Sequence, residues 1–83
     1  MERQIKLIWD FRGQNALKIA QHHEIHLKEY ITDKKLPSND TGVQSIHDMY
    51  AIAFMIVTDT YLTIIRDTLK PHRAEIYPIN FSG

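Results

Sequence analysis

The chain contains no cysteine, which excludes disulfides, thiolate zinc sites and thiol nucleophiles, so any strong metal site would be built from histidine and carboxylate. It also lacks an excess of either charge, with ten Lys and Arg against ten Asp and Glu. A balanced chain has no long-range field to draw it to nucleic acid, an anionic membrane or a polyanionic substrate, and none of these is expected as a partner. Long apolar runs are missing too. The longest uncharged stretch, residues 49–58, is about half of what a membrane-spanning helix needs. The beginning, Met-Glu-Arg-Gln-Ile-Lys, leads into a short apolar run broken by Asp10 and Arg12, too charged for a signal-peptide core. These absences fit a cytoplasmic chain. With three glycines and three prolines there is no glycine-rich phosphate loop, no Gly-x-Ser-x-Gly nucleophile motif and no repeat.

What is present reads as one domain, residues 1–83. At that length roughly 60–65% of the unfolded chain's surface can be buried, a thin core that self-association would reinforce. Residues 4–11 alternate Ile5, Leu7, Trp9 and Phe11 with Gln4, Lys6, Ile8 and Asp10, the period of a strand with one buried face. A turn at Arg12-Gly13-Gln14 leads to Asn15, a predicted N-cap. The longest periodic segment, residues 15–31, follows. On a helix its Ala16, Ile19, Ala20, His23, Leu27, Tyr30 and Ile31 form one stripe, with His26 on the flank and His22 further out. This helix should fray over residues 32–35, where Lys34 and Lys35 suit the negative end of its dipole.

Residues 36–42 gather Pro, Ser, Asn, Asp and Gly into a loop, predicted to be the most mobile part of the chain. Residues 43–47 read as a polar edge strand. Residues 50–57 are apolar at every position, which at this length predicts a central strand covered on both faces. By bulk, Tyr50, Ile52, Phe54 and Ile56 are assigned to the helices, and Ala51, Ala53, Met55 and Val57 to the opposite face. Thr58, Asp59 and Thr60 offer capping groups to a helix over residues 61–69, with inner stripe Tyr61, Leu62, Ile65, Thr68 and Leu69. Lys70-Pro71 stops it. A last edge strand is predicted over residues 73–79, with a loose tail from 80 to 83.

The order strand, helix, strand, strand, helix, strand is the ferredoxin-like βαββαβ plan of an α+β domain. It gives a four-stranded antiparallel sheet with both helices on one face, strands one and three central. The open face would then show Ile8, Ala51, Ala53, Met55, Val57 and Tyr77, enough apolar surface to predict a homodimer by stacking of open faces, or else through an edge.

The same topology collects Asp10, Arg12, His47, Asp48, Lys70, His72 and Arg73 at one end. Neighbouring strands make Asp10, Arg12, His72 and Arg73 candidates for one ligand site. His23 and His26 on the first helix are candidates for ligand binding or proton transfer, with Asp10 or Arg12 fixing the substrate. His22 and His26 have the i, i+4 spacing of a metal pair, but His23-Glu24-Ile25-His26 is one residue short of His-Glu-x-x-His. No metal is assigned and no cofactor is expected. Trp9, Phe54 and Tyr61 read as core residues.

The strand ending in Asp10, followed by a helix carrying His26-Leu27, resembles over the first third of the chain the opening of the YCII-related family, among the ferredoxin-like dimeric α+β barrels. That resemblance implies dimers formed by sheet stacking and an active-site His and Asp, at His26 and Asp10. The leading functional expectation is a small dimer-forming binding or assembly module that holds a small-molecule ligand between sheet and first helix. A dimeric-barrel enzyme using a helix-one histidine as acid or base, and a histidine-based metal-binding protein, are its alternatives.

Overall fold

The computed structural model describes residues 4–36 and 40–76. The elements run β1 (Gln4–Arg12), α1 (Ala16–Lys34), β2 (Thr41–His47), β3 (Tyr50–Thr58), α2 (Asp59–Leu69) and β4 (Arg73–Ile76). The four strands form one antiparallel sheet in the order β2-β3-β1-β4, and the two helices share one face of it. The expected α+β, ferredoxin-like plan is therefore the fold of the chain. Residues 37–39 of the expected loop and 77–83, with the end of the expected last strand and the tail, lie outside the described residues.

The β1–β3 register, Ile5↔Val57, Leu7↔Met55, Trp9↔Ala53 and Phe11↔Ala51, corrects the assignment of faces. Ala51, Ala53, Met55 and Val57 lie under the helices and pack with Ile5, Leu7, Trp9, Ala16, Ala20, Leu27 and Ile65 in the core. Tyr50, Ile52, Phe54 and Ile56 therefore occupy the open face with Ile8; Tyr77 is outside the described residues. Bulk misled because it was judged on one strand. Trp9 and Phe11 on β1 already fill the space below α1, so their cross-strand partners on β3 must be small. A strand apolar at every position carries no polar face to fix its parity, and a one-residue slip would exchange the two sets.

On α1 the core stripe is Ala16, Ala20 and Leu27, fully buried, with Tyr30 and Ile31 half-buried beside them. Ile19, expected inside, is 47% exposed. On α2 only Ile65 is fully buried, and Thr68, expected inside, is exposed. The helix starts two residues earlier than expected, at Asp59.

Neither residue at the N-cap position, Asn15 or Thr58, makes a side-chain capping bond. Asn15 serves through its carbonyl, which accepts the Ile19 N–H at 2.9 Å, and the Thr58 hydroxyl is buried without a partner. Both helices end on a lysine in the left-handed conformation, Lys35 (φ 52°) and Lys70 (φ 51°). Lys70 returns its N–H to the Arg66 carbonyl at 2.9 Å, which closes the last turn of α2 as an αL cap does. The indole Nε1 of Trp9 donates to the Leu69 carbonyl at 3.1 Å, tying the end of α2 to the centre of the sheet.

Candidate functional site

The structure divides the sequence candidates between the two faces of the sheet. On the open face, Asp10 of β1 stands where β1, β3 and β4 come within reach of one side chain. Arg73, the first residue of β4, forks onto it, Nε to Oδ2 at 3.0 Å and Nη2 to Oδ1 at 3.0 Å. The Tyr50 hydroxyl, from the first residue of β3, donates to the same Oδ1, and Arg73 Nη2 also reaches that hydroxyl at 3.2 Å. Arg73 further pairs with Glu75 at 3.0 Å. The hydrogen bond from Arg73 holds the Asp10 carboxyl below its usual range against the effect of burial, with help from Tyr50 and from the charges of Arg73 and His72. Asp10 in turn holds the Arg73 guanidinium above its ordinary value.

His72 completes this corner by a different route. Its Nδ1 accepts the Asp10 backbone N–H at 2.8 Å, and its backbone N–H donates to the Ile8 carbonyl at 2.9 Å, so it lengthens the β1–β4 ladder. Arg12, opposite Tyr50 in the register, lays its guanidinium 4.0 Å from the centre of the Tyr50 ring. That is cation–π distance. Asp10, Arg12, His72 and Arg73 thus share one corner, as the topology predicted. Tyr50 and Glu75 were not foreseen there; the signal for Tyr50 is its register opposite Arg12, which requires the parity of β3.

Across the sheet, His23 of α1 lies between the rings of Trp9 (centroids 4.9 Å apart) and Phe11 (5.4 Å). Its Nε2 is buried and has no hydrogen-bond partner. Burial lowers its pKa below 6.5, and the charges of His26 and His72 act in the same direction. A small open cleft of about 250 Å³ lies beside it, lined by Phe11, Ile19, His22, His23 and His26. His22 and His26 stack at 5.0 Å, and His26 Nδ1 stands 3.5 Å from Glu29 on the exposed side of the helix. Phe11 is also in edge contact with His72 at 6.3 Å, so one ring touches both histidines. Asp10 and Arg12 do not join His23 or His26, since their side chains leave the sheet on the other side.

Of the remaining candidates, His47 borders the Asp10 corner, its ring 5.8 Å from that of Tyr50, while Asp48 and Lys70 sit apart. His47 Nδ1 accepts the Met49 N–H at 3.2 Å within the β2–β3 turn, Asp48 is exposed in that turn, and Lys70 closes α2. Among the described residues no group of three or more His, Asp or Glu is arranged to hold a metal ion, and no helix is long and apolar enough to cross a membrane.

Chemically the two sites are unlike. Both oxygens of Asp10 are engaged, so that carboxylate works as a knot between three strands rather than as a base in waiting. His23 is neutral at pH 7, packed on two rings and short of one hydrogen bond, beside a mostly apolar opening. Compared with protein-family models, with characterised proteins and with solved structures, the chain has no match.

Proposed function

We propose that the chain is a small cytoplasmic binding and assembly module that works as a homodimer and takes a small, largely apolar ligand at the cleft between β1 and α1. The observation that carries this reading is the exposed apolar surface. Leu17, Ile19, Ile25, Ile46, Met49, Ile64 and Ile76 are between 41% and 63% exposed, while the densest charged corner is satisfied within itself. Surface of that kind is used in association more than in acid–base chemistry. Ile19, one of these side chains, also lines the cleft beside His23.

Sedimentation velocity over a micromolar to millimolar series tests the assembly. A mass that rises from one chain to two supports it, and a mass of one chain throughout sinks it. For the ligand, amide shifts of Phe11, Ile19 and His22 are followed while small aromatic and aliphatic probes are added. Shifts confined to these residues support the cleft, and no response to any probe rejects it.

A second reading, a dimeric-barrel enzyme with His23 as proton carrier, is favoured by the unpartnered Nε2. Histidine NMR titration separates the two. A proton carrier must exchange with solvent and titrate between about pH 5 and 8, whereas the packed His23 of the binding module should resist titration until the chain unfolds. His26, the histidine implied by the resemblance to the YCII-related family, is the control on the outside of the same helix.

A further inference from the structure

The two edges of the sheet differ in how they resist a neighbour. Over its described residues β4 carries Arg73 and Glu75, paired with each other at 3.0 Å. β2 runs Thr-Gly-Val-Gln-Ser-Ile-His over seven residues with no Lys, Arg, Asp, Glu or Pro, the residues with which edge strands are usually blunted. Its one irregularity is the register shift between Ser45 and His47.

The ladder decides which backbone groups of β2 look outward. The Ile56 N–H donates to the Asp40 carbonyl at 2.8 Å. Asp40 and, by the alternation of an antiparallel pair, Gly42 and Gln44 therefore turn their groups to β3. Thr41, Val43 and Ser45 turn theirs to the free edge.

Resting on the homodimer reading above, we propose that β2 pairs antiparallel with β2 of a second copy about a two-fold axis at Val43, which joins two four-stranded sheets into one. Val43 then faces Val43, and Thr41 faces Ser45 of the other copy. Each exchanges both outward hydrogen bonds within the regular part of the strand. Val–Val and Thr–Ser are favourable cross-strand pairs, and no like charges meet.

The helix above agrees. Glu24 accepts the Thr41 hydroxyl at 3.0 Å, which marks the flank of α1 that lies over β2. α1 runs opposite to β2, so two strand residues, about 6.6 Å, correspond to about four helix residues before Glu24. This puts Gln21 nearest the axis, with Leu17 about one turn further along the same flank, neither charged and Leu17 41% exposed, where they meet the same flank of the second copy. The open face is the poorer surface for a second copy, because its Ile8, Ile52 and Ile56 are already at most 4% exposed.

The test uses the whole chain and two variants. The Ser45 N–H faces the edge, so Ser45→Pro removes no bond to β3 and still blocks pairing; Ser45→Lys does so by charge, and serves if the proline variant fails to fold. Sedimentation equilibrium is expected to give twice 9.8 kDa for the native chain and half that mass for the variants, with unchanged circular dichroism. The amides of Thr41, Val43 and Ser45 should resist exchange only at concentrations where the larger mass forms. A dimer that persists in both variants overturns the β2 pairing and leaves self-association standing. A native chain that stays at one mass overturns both.

Discussion

The two faces of β3 carry apolar side chains in equal number and use them in opposite ways. Under the helices the strand is small at Ala51 and Ala53, because Trp9 and Phe11 of the neighbouring strand occupy that space. On the open face it is large at Tyr50, Ile52, Phe54 and Ile56, and long cations lie over the rings, Lys6 at 4.5 Å from the Phe54 centroid and Arg12 at 4.0 Å from that of Tyr50. One face is covered by other elements. The other is covered in part by its own amphipathic side chains, whose stems shield apolar surface while their charges stay in water. Between those rings Ile8, Ile52 and Ile56 are at most 4% exposed, although both helices lie on the other face.

That asymmetry predicts unequal costs for the same truncation. Leu7→Ala, under the helices and fully buried, should cost about 3–5 kcal/mol in urea unfolding because the rigid layer above cannot follow the lost atoms. Ile8→Ala, 2% exposed on the other face, should cost about 2 kcal/mol, since surface side chains can collapse into the gap. Equal losses would show that the open face is packed as rigidly as the core.

Gly42 sharpens the comparison. A Cβ there would lie 2.8 Å from Cε2 of Phe54, so the ring must tilt off its seat under Lys6. Gly42→Ala should lose about 1–2 kcal/mol, less than the core truncation, because overpacking at a yielding surface is relieved by side-chain motion. A change of Phe54 side-chain shifts without loss of the β2–β3 ladder is the expected NMR signature.

The smallest effects are electrostatic and fall in different pH windows for the two faces. His23 has a folded pKa below 6.5, so the unfolded chain binds more protons there. Its contribution to stability is complete above about pH 6.5 and is lost as pH falls from there through the folded value. Asp10 is held below 3.8, so its contribution is present above about pH 4 and is lost as pH falls further, through its own folded value. Thermal melts against pH should show two separate declines. His23→Gln should remove the upper one and Asp10→Asn the lower, and a single decline common to both variants would deny that the faces titrate independently.

Much of the architecture was readable in advance. The alternation in residues 4–11, the stripe on α1 and the apolar run in β3 each name one element type, and their order admits one common topology. The gathering of Asp10, Arg12, His72 and Arg73 followed from that topology alone. What escaped was anything that depends on parity or on another strand's bulk. Ile52 and Ala53 are equally good core residues until Trp9 is known to lie opposite Ala53. Tyr50 becomes a partner of Asp10 only after the register places it beside Arg12 on the open side. The neutral, ring-packed state of His23 was legible as position but not as environment, because Trp9 and Phe11 are brought to it from another element.

One consequence of the Trp9 geometry is practical. It is the chain's single tryptophan, its indole N–H held by the last carbonyl of α2 and its ring against an imidazole of α1. Release of α2 would change the polarity around that indole, and a proton on the imidazole would quench it, so intrinsic fluorescence can follow the seating of both helices in unlabelled protein, one through emission wavelength and the other through intensity.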